Sequence, residues 1–219
     1  MSRIVLPGQS YESFYKFPLQ SMRELKGAFC CQEYIQARIR RDPSDLSSIC
    51  DMPEDYSDEA VWVLEHLRQL LTDINQLLVA LRDDCTVETC PKMCVGNFEY
   101  LCAAHNKGPI ECCAVDYGLH TVAAFISLLN NPSEFRSRVV VSKKGSKNFG
   151  NIARRVYRVL SHAFTSHANS FVRFEAQHYV AHRFIYVCRK FKLMESKAFG
   201  LMDVAAMKQL VAAEASAHH

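Results

Sequence analysis

Between residues 59 and 82 the chain carries apolar side chains at Trp62, Leu67, Leu70, Leu71, Ile74, Leu77, Leu78 and Leu81. Spacings of three and four describe one face of an α-helix and exclude the two-residue alternation of a strand. Ser57 and Asp58 precede the segment as candidate caps, and Glu59 puts an acid in its first turn, near the positive end of the helix dipole. The segment is predicted to be a central core helix, around which the rest of the chain must organise.

The remaining periodicity is also helical. A short helix is predicted over 28–40, with Cys31, Ile35 and Ile39 on one face, ended by an acidic stretch containing Pro43 and Pro53. Helical spacing returns from Asp116 to Asn130 and stops at Asn130-Asn131-Pro132, where proline and the residue before it resist helix. A long helix follows the basic loop SKKGSKNFG, with Ile152, Val156, Val159, Leu160 and Ala163 on one face. A further helix runs through Val180, Phe184, Val187, Cys188 and Phe191, and a weaker one starts at Asp203. Between 85 and 113 the periodicity lapses, and a small hairpin is predicted with its turn at Asn106 to Pro109. Residues 1–26 lack periodicity and read as an extended arm whose Tyr11, Phe14, Tyr15 and Phe17 pack onto the core. The class is all-α, a helical bundle with a small β-hairpin.

No stretch is long and apolar enough for a signal peptide or a membrane span, so the chain reads as soluble and intracellular. That reading turns the 10 cysteines from disulfide candidates into buried thiols or metal ligands. The net charge of +3 hides an asymmetry: residues 42–59 hold seven acids and no base, whereas 135–174 hold Arg136, Arg138, Lys143, Lys144, Lys147, Arg154, Arg155, Arg158 and Arg173 with no acid. Two opposed runs suggest two binding surfaces, although each run alone also describes an ordinary solvated face.

Two pairs of residues have zinc chemistry. Cys85-x4-Cys90 follows the central helix and His162-x4-His167 lies in the basic helix. Thiolate and imidazole are the ligands of tetrahedral zinc, and each pair has a usual local spacing. Buried thiols and packed imidazoles also fit this pattern, and Cys94, Cys102, His105, Cys112 and Cys113 near the hairpin are rival ligands. Two histidines five residues apart lie about 140° apart around a regular helix, so the turn carrying them is expected to widen, as a π-type turn would. On the same helix Arg154, Arg155 and Arg158 share an arc of roughly 100° opposite the apolar face. Guanidinium forks in that arrangement suit phosphate oxygens; a solvated face is the other reading.

Segments spread from the start of the chain to residue 194 carry a resemblance. They are SFYKFP, YIQARIR at 34–40, VWVLEHLRQL at 61–70, Cys85-x4-Cys90, YLCAAH at 100–105, ECCAVDYGLHT at 111–121, RRVYRVLSHAFTSH at 154–167 and HRFIYVCRKFKLM at 182–194. In these the chain resembles the MOB (Mps one binder) family, and specifically its phocein branch. The resemblance implies a MOB-type helical fold on a four-helix core at 27–194, preceded by the arm at 1–26 and followed by a C-terminal helix and tail at 195–219. It implies that Cys85, Cys90, His162 and His167 hold one structural zinc, and that Arg154, Arg155 and Arg158 form a phosphopeptide-binding trio. The implied role is a non-catalytic, cytoplasmic adaptor in striatin-organised assemblies, and the resemblance leaves open a peripheral position on internal membranes. Its implied partners are a striatin-like scaffold, a germinal-centre (MST-type) kinase and type 2A phosphatase subunits. Another MOB branch activates NDR/LATS-type kinases through an acidic surface, to which Glu54, Asp55, Asp58, Glu59 and Trp62 correspond. Phe17 in place of a common Trp, the basic 142–150 loop, Cys112–Cys113 and the Ala-rich tail depart from the pattern.

A zinc-dependent hydrolase is the enzymatic alternative, with His178 and His182 placed four apart as metalloprotease ligands are. Hydrolytic zinc needs an open coordination position and a nearby carboxylate, and neither HExxH nor the deaminase pair HxE with PCxxC occurs. P-loop and GxSxG signatures are also missing, as are RNA-binding signatures, so the chain is expected not to be an enzyme and not to bind nucleic acid.

Overall fold

Two aspartates divide the acidic stretch into helix starts. Helix α1 (Cys30–Arg41) buries Cys31, Tyr34 and Ile35. Asp45 then accepts the Ser48 N–H at 3.0 Å and opens the short α2 (Leu46–Cys50) within the acidic stretch. Asp58 accepts the Val61 N–H at 3.0 Å and opens α3 (Glu59–Ala80), satisfying a backbone donor that the first turn leaves without a partner. In this computed structural model, residues 8, 18–105, 107–136 and 139–217 are described; the aromatics Tyr11, Phe14, Tyr15 and Phe17 of the predicted arm, and Asn106 and Arg138, lie outside them.

Helix α3 is the core element that its periodicity predicts. It packs against α1, α4 (Ala114–Leu129), α6 (Phe149–Ser166), α7 (Ala168–His178) and α8 (Val180–Lys190). Trp62, Leu64, Ile74 and Leu77 have no exposed surface. The approach of α4 is set by Gly118, where a Cβ would lie 2.6 Å from Leu78 Cδ2. A smaller cluster, around Trp62, Ile35, Ile49, Cys50 and Val187, joins α1 and α2 to α3 and α8.

Strands among the described residues are two residues long. β1 (Cys94–Val95) pairs antiparallel with β2 (Phe98–Glu99), turning through Gly96 at φ 55°. β3 (Phe135–Arg136) pairs with β4 (Val140–Val141). The hairpin predicted around 106–109 is reduced to a single bridge between Cys102 and Ile110. The SKKGSKNFG loop contains a helical turn, α5 (Lys143–Ser146), because the Ser142 hydroxyl accepts the Gly145 N–H at 2.9 Å.

Helix α7 was not anticipated by periodicity. It begins at a break at His167 and ends at Tyr179, whose left-handed backbone (φ 50°, ψ 35°) separates it from α8. That corner is held by the fully buried Glu175, whose carboxylate accepts the N–H groups of Ala181 and His182 at 2.9 Å each and approaches His182 Nδ1 at 2.8 Å. The tail forms a 3-10 turn (Ser196–Leu201) and then α9 (Val204–Ala217), where Asp203 accepts the N–H groups of Ala205 and Ala206.

Candidate metal centre and the basic helix face

Beyond α3 the chain turns tightly. The Cys85 N–H donates to the Leu81 carbonyl at 2.8 Å, the Cys90 N–H to Thr86 at 2.9 Å, and the Thr89 hydroxyl to the Asp84 carbonyl at 2.8 Å. This turn presents both thiols to the end of α6, where His162 and His167 wait. All four donor atoms lie within 4.8 Å of one another. Cys85 Sγ is 3.6 Å from His162 Nε2, and Cys90 Sγ is 3.4 Å from His167 Nε2. A tetrahedral ion with zinc-like bonds would put sulfur and nitrogen ligands about 3.6 Å apart, so the donor set fits such an ion.

The electrostatics agree with that geometry. Burial lowers the pKa of both His162 and His167, keeping them neutral, the form in which imidazole ligates a metal. The Cys85 thiol is pushed up to about 12 by burial first and then by the neighbouring Cys90 sulfur. A dication bound between the sulfurs would reverse both of these effects on the thiol, since a coordinated thiol is held as thiolate. No carboxylate belongs to the group.

The expected π-type turn is not how the five-residue spacing is resolved. Helix α6 ends at Ser166, and His167, at φ −134° and ψ 44°, is the residue where α6 stops and α7 begins. Leaving the helical path swings its ring to the same side as that of His162, with ring centroids 5.2 Å apart. The rival ligands also separate. Cys94 and Cys113 belong to neither Cys/His group among the described residues; Cys102, His105 and Cys112 converge elsewhere with His120, a residue the sequence analysis did not single out.

The other sequence-predicted sites divide between surface and core. Arg154 is exposed on α6, whereas Arg155 and Arg158 are half-buried. Arg155 lies over the Phe125 ring at 5.6 Å; Arg158 lies over Tyr100 at 4.4 Å and donates to the Tyr117 hydroxyl at 3.2 Å. No ion pair engages the three among the described residues. Glu54, Asp55, Asp58 and Glu59 are exposed, but Asp58 caps α3 and Asp55 pairs with Arg23 at 3.3 Å. Trp62 corrects the expected acidic surface: it has no exposed area, and its indole N–H donates to the Cys50 carbonyl at 3.2 Å, because the indole lies on the α3 face covered by α1 and α2. His178 and His182 do not share a helix, since Tyr179 breaks the chain between them, and His182 is bound to Glu175.

No helix among the described residues is long and apolar enough to cross a membrane. The Mob1/phocein family model matches residues 37–202. The chain is 40% identical over 192 residues to MOB kinase activator-like 4 of Drosophila melanogaster, covering 87% of this chain and 85% of the relative. It is 38% identical over 192 residues, with the same coverage, to the MOB-like protein phocein of Caenorhabditis elegans. Identity to the maintenance of ploidy protein mob1 of Schizosaccharomyces pombe is 27% over 150 residues, 65% of this chain and 71% of the relative. A helical fold built around α3, a Cys/His group closed by four protein donors, and similarity along most of the chain agree: the chain belongs to the Mob1/phocein family.

Proposed function

We propose that this protein is a non-catalytic adaptor subunit of a striatin-organised (STRIPAK-type) kinase–phosphatase assembly in the cytoplasm, and that it binds a phosphorylated segment of a germinal-centre kinase. The observation that carries this reading is the 38–40% identity, across 87% of the chain, to relatives named for phocein and for kinase activation. Cys85, Cys90, His162 and His167 would hold zinc as a structural ion, supplying folding energy rather than chemistry: four protein ligands leave no position for a substrate.

The basic face of α6 would supply the phosphate contacts. Arg155 and Arg158 are backed by aromatic rings and free of carboxylate partners among the described residues, which orients guanidinium forks without neutralising them. The alternative, co-activation of an NDR/LATS-type kinase through the acidic surface, finds support in the name of the fly relative. It is weakened here because Trp62 is core and Asp55 and Asp58 are engaged locally.

Affinity purification under non-denaturing conditions tests the role. Recovery of striatin-like, MST-type kinase and type 2A phosphatase subunits together is expected, and recovery of NDR/LATS-type kinases without them would replace the adaptor reading by the co-activator one. Calorimetric titration with paired phosphorylated and unphosphorylated peptides from the recovered kinase tests the arginines; equal binding of both would return them to a solvated face.

A further inference from the structure

The segment between α3 and α4 has little regular structure to hold it, since β1, β2 and one bridge are all the pairing it contains among the described residues. Its first part is anchored at Cys85 and Cys90. Its second part loops out through Cys102 and His105 and returns through Cys112 to the start of α4. The loop is pinned by the bridge, with Cys102 N–H donating to the Ile110 carbonyl at 2.7 Å and Ile110 N–H to Cys102 at 3.1 Å. Gly108, at φ 104°, makes the turn. His120, in the second turn of α4, faces the same point.

Four donor atoms converge there, all within 4.8 Å of one another. His105 Nε2 is 3.1 Å from Cys112 Sγ, Cys112 Sγ is 3.8 Å from His120 Nδ1, and Cys102 Sγ is 3.7 Å from the same Nδ1. The two imidazoles stand perpendicular, with centroids 4.9 Å apart. Thiol–imidazole hydrogen bonding accounts poorly for this set. One nitrogen of His120, with one lone pair or one proton, is approached by two sulfurs, and one sulfur of Cys112 is approached by two imidazoles. A central ion satisfies all of them at once, and a tetrahedral zinc-like ion puts sulfur and nitrogen ligands about 3.6 Å apart.

We propose that Cys102, His105, Cys112 and His120 bind a second zinc ion, which ties the 102–112 loop to α4 as the first group ties the 85–90 turn to α6. Two thiolates and two imidazoles are the softness and geometry of structural zinc rather than of calcium or magnesium. Two thiolates also neutralise the dication, which suits a site whose Cys102 is 2% exposed. The two sites are joined by backbone: Met93 N–H donates to the Cys112 carbonyl and Ala114 N–H to the Cys90 carbonyl, each at 3.0 Å. The ions would thus staple the two ends of one irregular segment onto neighbouring helices. This inference is independent of the adaptor reading, but the count of two rests on zinc at Cys85, Cys90, His162 and His167, so the Cys85→Ser protein is measured beside the wild type to tell which site is filled.

The test is elemental analysis of the full chain purified without chelator, with free thiols counted in parallel. Two zinc ions per chain are expected in the wild type. His120→Ala and Cys112→Ser should each fall to one while keeping helicity and the metal bound at Cys85, Cys90, His162 and His167. With cobalt in place of zinc, His120→Ala should lose about half of the tetrahedral visible absorption. A wild type with one zinc per chain, or a His120→Ala protein that retains two, overturns the proposal, as does a disulfide between Cys102 and Cys112. If neither variant is recovered folded, the wild-type count decides alone, two in favour and one against.

Discussion

His162 Nδ1 lies 2.7 Å from the carbonyl oxygen of Cys94. That contact fixes the proton on Nδ1, which donates to the carbonyl, and leaves Nε2 as the lone pair facing Cys85. The strand that supplies the carbonyl, β1, therefore positions a donor of the candidate metal centre, although Cys94 itself belongs to neither Cys/His group among the described residues.

Removing a donor from this centre should remove its metal and most of the stability that depends on it. Cys85→Ser or His162→Ala is expected to lose one zinc per chain and to melt far below the wild type, because structural zinc contributes on the order of 10 kcal/mol to folding in small zinc peptides. Elemental analysis with thermal denaturation checks this. A Cys85→Ser protein with wild-type metal content and melting temperature would show that the ligand set is wrong.

The three arginines should not behave alike. Arg158→Ala loses a ring contact with Tyr100 and a hydrogen bond to Tyr117, together ~1–2 kcal/mol, and its melting temperature should drop measurably. Arg154→Ala is expected to leave melting nearly unchanged; Arg154→Ala/Arg155→Ala also loses the Arg155 contact with the Phe125 ring, ~0.5–1 kcal/mol, and should weaken phosphopeptide binding at least tenfold, since each charge-assisted bond is worth about 1.5–3 kcal/mol.

Arg183 is 2% exposed and donates to the Asp73 carboxylate at 2.7 Å, joining α8 to α3. Asp73→Ala leaves that guanidinium without its carboxylate, with the His178 carbonyl at 3.2 Å as a remaining acceptor, and should destabilise by about 3–5 kcal/mol in urea unfolding. The paired variant Asp73→Leu/Arg183→Met, which removes both charges, should recover a substantial part of the loss. Equal losses in the single and paired variants would mean that side-chain volume, rather than charge, sets the cost.

His66 is buried on α3 beside Trp62, and its pKa is lowered to about 3 by burial and then by nearby Arg183. The folded state therefore binds fewer protons at this site than the unfolded chain, whose imidazole titrates near 6.5. Its stabilising effect is complete above about pH 6.5 and is lost as pH falls toward 3, with a limiting slope of about 1.4 kcal/mol per pH unit. Between pH 7.5 and 5, the wild type should lose about 2 kcal/mol more than His66→Gln. Parallel pH profiles for the two proteins would contradict this; metal release at low pH is common to both and cancels in the difference.

Local signals were enough for the elements whose formation depends on their own residues. Asp58 and the three-four spacing of Leu67 to Leu81 define α3 without any partner, and Asn130-Asn131-Pro132 stops α4 where expected. Helix α7 lacked such a signal, because its apolar residues Phe171, Val172 and Phe174 become a buried face only once the chain has turned at His167 and docked. Ser142 made a helical turn from a stretch that composition marks as loop. Trp62 was legible as a helix-face residue, but which side of α3 is covered depends on α1 and α2.

The sequence by itself determined the helical class and the central position of α3, because residue type and short-range spacing carry that information; it offered the Cys85/Cys90 and His162/His167 pairs as candidates among rivals, and only the family resemblance joined them into one set. Tertiary structure alone decided which distant donors meet. His120 joins Cys102, His105 and Cys112 because α4 is packed against α3 through Gly118, and His167 turns toward His162 because α6 ends there. Convergence in space is set by packing between elements, which no periodicity within a single element records.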